Sequence, residues 1–99
     1  MVESYEDLHQ LISSEIENYL AQHEDATIKF DIAENGSCTM SNTENSNKFV
    51  FMFARFGEEY KVGFALYEGF DPNPCWIDDV SNDGFDSNFV QTLIVEHLM

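Results

Sequence analysis

Basic residues are nearly missing from this chain. Four Lys and Arg stand against nineteen Asp and Glu in 99 residues, a net charge of −15, and no Lys or Arg occurs before residue 29 or after residue 61. Nucleic acids and anionic membranes are bound directly through clustered cations, so neither is expected as a ligand. Two cysteines, Cys38 and Cys75, allow at most one bridge and have no CxxC partner or neighbouring His. They read as two free buried thiols with no redox or nucleophilic task. No run of about 18 apolar residues is present, and no basic start followed by an apolar stretch. A membrane span and a secretory signal are therefore not expected, and a cytoplasmic location is.

Catalytic signatures are equally scarce. GxGxxG, P-loop and GxSxG patterns do not occur, and His9, His23 and His97 are scattered without metal-ligand spacing. The neighbouring acids Asp78-Asp79 and Glu58-Glu59 are of the kind that stay solvated rather than exchange protons with a substrate. The chain is read as a non-enzyme that needs no cofactor and no metal.

What the chain does contain argues for a folded domain. Its hydrophobic fraction is 43% and its aromatic fraction 14%, with nine Phe and four Tyr, far from the composition of a disordered acidic segment. The length suits one domain with one core.

Ser4 is a good N-cap, with Asp7 three residues on as a shortened capping box. Tyr5, Leu8, Leu11, Ile12, Ile16, Tyr19 and Leu20 then recur at the 3.6-residue period of a helix running to about Ala21. Glu3, Glu6, Asp7 and Glu17 fall on its other face, and Glu15, beside the apolar stripe, is expected at the rim. Beyond Asp25 the period becomes two. Ile28, Phe30 and Ile32 alternate with polar residues, Asn35-Gly36 signals a hairpin, and Cys38 and Met40 carry the return strand to about Ser41. NTENSN, residues 42–47, reads as a polar loop with no further role. KFVFMFARF, residues 48–56, is apolar on both parities, as a central strand covered on both sides would be. After Gly57-Glu58-Glu59, YKVGFALY alternates once more. Residues 68–85 read as a long connection with a short strand at Cys75–Ile77, and Ser87 to Leu98 as a final helix.

The architecture that buries these faces is α+β: a four-stranded antiparallel β-meander with the N- and C-terminal helices packed on one face, α-β-β-β-β-α, and room for a short fifth strand. Lys29 and Lys61 then belong to the open face of the sheet. The carboxylates occupy the helix surfaces and the long connection.

One stretch of that connection nearly spells a calcium loop. In DDVSNDGFDSNFV, Asp79, Ser81, Asp83 and Gly84 match the opening positions of the EF-hand pattern, but its closing Glu is replaced by Val90, and Pro72 and Pro74 interrupt any entering helix. The stretch divides more naturally into a turn at Asn82-Asp83-Gly84 and a helix start. In that start Asp86 is the N-cap, with Phe85 and Val90 as a hydrophobic staple.

Such a negative charge destabilises the compact state by self-repulsion and calls for a compensating use. Carboxylates held on rigid helices can imitate nucleic-acid phosphates and occupy a partner's basic groove. The expected contacts are Glu3, Glu6, Asp7 and Glu17 on the first helix, and Glu68, Asp71, Trp76, Asp78, Asp79 and Asp83 in the long connection; Trp76 also suits a cover over one end of the core. The expected partner is a basic nucleic-acid-binding protein, a nuclease or a defence complex, met by a monomer or a dimer. In size, charge and want of catalytic residues the chain resembles the small acidic inhibitors of phages and mobile elements, such as anti-restriction and anti-CRISPR proteins, and the immunity proteins of nuclease toxins. No motif carries that resemblance. Separately, IKFDIAENGSC (Ile28 to Cys38) after an acidic amphipathic helix resembles the opening of type III secretion chaperones over about a third of the chain. It implies a dimer that binds an extended segment of another protein. A third reading takes the acidity as adaptation to a high-salt cytoplasm.

Overall fold

The computed structural model describes residues 2–99, the side chain of Phe56 excepted. Helix α1 (Tyr5–Gln22) is followed by strands β1 (Ile28–Ile32), β2 (Cys38–Asn42), β3 (Lys48–Phe56), β4 (Glu59–Tyr67) and β5 (Trp76–Ser81), and then by helix α2 (Ser87–Leu93), which runs into a π-helical turn at Ile94–Leu98. The strands form one antiparallel sheet in the order β1-β2-β3-β4-β5. This is the expected α+β meander with its fifth strand present.

Local chemistry explains both helix starts. The Ser4 hydroxyl accepts the Asp7 N–H at 3.1 Å, and the Asp86 carboxylate accepts the Phe89 N–H at 2.9 Å, each satisfying a donor that the first turn leaves open. The Asp7 carboxylate reaches back to the Glu3 N–H at 3.1 Å rather than to that of Ser4. The capping box is thus extended by one residue.

Alternation along the strands then sorts the residues into two faces. Cys38 and Met40 of β2, Phe49 and Phe51 of β3, and Val62, Phe64 and Leu66 of β4 point to one side. There they share a core with Leu8, Ile12, Ile16 and Tyr19 of α1 and with Phe85, Val90, Leu93, Ile94 and Leu98 at the C-terminal end. Aromatic edges fix this core. Phe49 meets Phe64 with ring centroids 6.2 Å apart, Phe51 meets Phe85 at 5.6 Å, and Phe64 meets Trp76 at 4.9 Å, the offset and T-shaped contacts that add to simple burial. Both helices lie on this one side. The other face of β3 is left uncovered, contrary to the two-sided reading of KFVFMFARF: Met52 is 52% exposed. Phe56, the last apolar residue in that reading, lies outside the described side chains.

Three further expectations are corrected. Residues 76–81 form a full strand on β4, with Leu66 opposite Trp76 and Lys61 opposite Ser81, so the long connection shrinks to residues 68–75. Glu15 is buried, 7% exposed, instead of lying at the rim. Gln91 Nε2 donates to its carbonyl at 2.9 Å and to its carboxylate at 3.0 Å, and Asn18 Nδ2 donates to the other carboxylate oxygen at 3.3 Å. That network joins α1 to α2.

The polar loop after β2 also has a task. Asn42 and Asn45 both donate through Nδ2 to the Leu98 carbonyl, at 3.1 and 2.9 Å, and Asn47 donates to the His97 carbonyl at 3.4 Å. Carbonyls at a helix end have no partner within the helix, so this asparagine-rich loop caps the last turn. Asn42 is buried and also accepts from the Glu44 N–H at 2.9 Å. Truncating it strands buried polar groups at a cost of about 1–3 kcal/mol. Asn42→Ala is therefore expected to lower unfolding stability by about that amount in urea titration, and Asn45→Ala, whose side chain is exposed, by less than about 1 kcal/mol.

Candidate functional site

Charge on this fold is separated by face. Lys29, Lys48 and Lys61 occupy the open side of the sheet by strand parity, together with the carboxylates Asp31, Glu59 and Asp79. Those three cations and three anions cancel. The remaining sixteen carboxylates are spread over the helices, the loops and the other strand positions, where Arg55 is the one cation in the sequence to offset them. Each cation is engaged on the sheet: Lys29 with Asp31 at 3.8 Å, Lys61 with Asp79 at 3.7 Å, Lys48 over the Tyr67 ring at 5.2 Å and Arg55 over the Tyr60 ring at 5.5 Å. The helix layer is left with an uncompensated field.

The expected contact residues fall into two groups that the fold keeps apart. Glu3, Glu6, Asp7 and Glu17 belong to α1 and its start; the helix packs over β1 and β3 and is tied to the first hairpin by His9 Nε2 at 2.6 Å from the Gly36 carbonyl. Glu68, Asp71, Trp76, Asp78 and Asp79 gather around β5, at the opposite edge of the sheet, whereas Asp83, in the turn after β5, lines a depression with Leu11 of α1. No single surface holds all ten.

The β5 group is largely committed to local structure. The Asp71 carboxylate accepts the Asn73 N–H at 2.9 Å, that of Asp78 accepts the Asp79 N–H at 2.8 Å, and that of Glu68 accepts from Cys75 Sγ at 3.4 Å. The strand also splits the adjacent acids: Asp78 shares the core-side parity of Trp76 and Val80, whereas Asp79 shares the open-face parity of Ile77 and pairs with Lys61. Trp76 is half-buried. Its ring packs on Phe64, on Phe49 at 6.4 Å and on His97 at 5.1 Å, so its area is spent on the core. Asp83 is exposed in the turn before Gly84.

On α1, Asp7 belongs to the cap, whereas Glu3, Glu6 and Glu17 are exposed. Glu24 and Asp25, just past the helix end and not among the expected contacts, are exposed too and extend the same acidic edge. Their signal in the sequence is two acids immediately after a periodic run. Eighteen residues at 1.5 Å each make α1 about 27 Å long. The five free carboxylates, Glu3, Glu6, Glu17, Glu24 and Asp25, span roughly 33 Å at the same rise, about one per 7 Å, which is half the density of the phosphates of one strand at 3.4 Å and far from the 1.7 Å of a duplex. Of the two, a single backbone is the nearer match.

No family model, curated protein or solved structure matches this chain. Among the described residues no cluster of three or more His, Cys, Asp or Glu has the arrangement of a metal site, and no helix is long and apolar enough to cross a membrane.

The two thiols differ in setting. Cys75 is exposed rather than buried as expected, and its pKa is raised by desolvation and by the Glu68 carboxylate. With the residue open to solvent, the carboxylate is the physically stronger cause. Cys38 lies in the core, and burial pushes its pKa from 9.0 up to about 12. The folded chain therefore holds this proton more tightly than the unfolded one. Its stabilising contribution is complete below pH 9 and is lost as pH rises toward 12, at about 1.4 kcal/mol per pH unit. Denaturation curves at stepped alkaline pH should show that loss, and Cys38→Ala should flatten it relative to the wild-type chain.

Proposed function

We propose that this protein is an acidic inhibitor that occupies the basic nucleic-acid-binding groove of another protein, with the outer edge of α1 as its main contact. The observation that carries the reading is the separation of charge. Glu3, Glu6, Glu17, Glu24 and Asp25 lie on or beside one rigid helix, and the four cations of the chain are engaged on the sheet. A nuclease or a defence complex with a single-strand groove is a nearer match to these carboxylates than one with a duplex groove, since they are spaced about twice as far apart as the phosphates of one strand. Unlike a flexible acidic tail, α1 has both ends fastened and its inner face packed, so little ordering entropy is lost on binding. Long-range attraction speeds the encounter, and the bound partner no longer reaches its own nucleic acid.

The β5 carboxylates are the weaker candidates, since Asp71, Asp78 and Asp79 already serve local backbone or ion-pair partners. Asp7 should be left out of any charge-reversal test because it closes the cap of α1.

The test is to immobilise the protein, load host lysate at low salt, and challenge what is retained with a salt gradient and with single-stranded oligonucleotide. The retained protein should be basic, should leave steeply with rising salt, and should be displaced by the oligonucleotide. A combined Glu3→Lys, Glu6→Lys and Glu17→Lys variant should retain at least about tenfold less of it at unchanged melting temperature, since each reversal turns an attraction into a repulsion. Retention indifferent to salt and to the oligonucleotide would rule the proposal out.

A further inference from the structure

The open face of the sheet has no task in the contact proposed for α1, yet it is shaped to meet something. Across β3, β4 and β5 the register aligns Val50 with Ala65 and Ile77, and Met52 with Gly63 and Asp79. Val50 and Met52 form a ridge along β3, Ile77 a second ridge along β5, and Gly63 and Ala65 a trough between them. These residues line one continuous depression. Met52 is 52% and Ile77 70% exposed.

Gly63 is the telling residue. A glycine inside a strand weakens it and often marks the close approach of another backbone. Nothing within this protomer requires it, because a Cβ at Gly63 would have only the Met52 carbonyl oxygen as a near neighbour, at 4.0 Å. The trough is therefore kept open toward the outside.

We infer that the open sheet face is the interface of a homodimer, with the β3 ridge of one protomer seated in the β4 trough of its partner about a two-fold axis. Three observations select a second copy. First, an isologous contact needs a projection and a matching recess on the same patch, and this face has both. Secondly, copies carrying −15 each repel, but the strand positions of this face carry three Lys and three carboxylates, and Asp78 at the border of the depression adds a single further charge, so the repulsion is weakest here. Thirdly, the size is adequate. Strands of five, five, nine, nine and six residues, about 4.8 Å apart and rising about 3.3 Å per residue, present roughly 540 Å² per protomer, so that a pair covers a little more than the roughly 1,000 Å² total that a specific interface needs. Packed this way, the two sheets form a sandwich and both α1 helices face outward, free for the proposed partner.

Sedimentation equilibrium of the full chain over a wide concentration range, at low and high salt, tests this. The expected mass at high concentration is twice the 11.4 kDa of the protomer, and self-association should strengthen with salt, because screening weakens the net repulsion while apolar contact persists. Met52→Glu should weaken it on the order of 100-fold by burying an unpaired charge. Gly63→Val fills the trough at a position with space for a side chain, so it should keep the fold and still block the dimer; it keeps the test decisive if Met52→Glu fails to fold. A chain that stays monomeric at every concentration and salt, a dimer that dissociates as salt rises, or one that survives both substitutions would overturn the inference. Because no basic partner is present, this result stands or falls separately from the inhibitor reading, whose affinity moves with salt in the opposite direction.

Discussion

Phe49 and Phe51 are fully buried in the middle of the sheet, and the need to cover their side of β3 sets the layout of the whole domain. Two helices, one from each end of the chain, bury that aromatic layer, and both must lie on the same side to do so. Their inner faces are consumed by the core and their outer faces must be polar. In a chain with almost no cations, polar outer faces become anionic ones. The field on α1 is thus the consequence of placing helices over Phe49 and Phe51 in a sequence with four basic residues, all of them at strand positions.

The same arrangement leaves the other side of β3 bare. A monomer with Met52 and Ile77 in solvent is not in difficulty, since scattered apolar exposure is ordinary. Their alignment with Gly63 and Ala65 into ridges and a trough is a different matter, as is the local balance of charge around them. One face of the sheet builds the domain, and the opposite face is suited to doubling it. The two proposals use different surfaces and respond to salt with opposite sign.

Much of the fold is legible along the chain, because each element announces itself through short-range chemistry. Ser4 and Asp86 precede periodic runs and do cap helices; Asn35-Gly36 does sit in a hairpin connection; the switch from a period of 3.6 to one of two does mark the passage from helix to strand. The features that escape a reading of the chain depend on residues far apart. Glu15 reads as a rim residue because its partner, Gln91, lies 76 positions away. Asn42, Asn45 and Asn47 read as idle loop because the carbonyls they cap are those of His97 and Leu98. The strand expected at Cys75–Ile77 is there, but its run on to Ser81 has too little alternation to be read along the chain and follows from backbone pairing with β4. Of the candidate contacts, Glu6 and Glu17 stand where helical periodicity puts them, and Glu3 is exposed just before the N-cap. The β5 group reads as one cluster along the chain, and strand parity divides it.

The central claim is that a cationic ligand sees α1 and not the sheet. Its most direct test is an amide chemical-shift map of the labelled protein titrated at low salt with a short polyarginine peptide. The account predicts progressive shifts along α1 from Glu6 to Glu17 and at Glu24 and Asp25, reversed by added salt, with Val50 to Ala54 unmoved. Shifts confined to β5, or centred on the open face of β3 and β4, would contradict it.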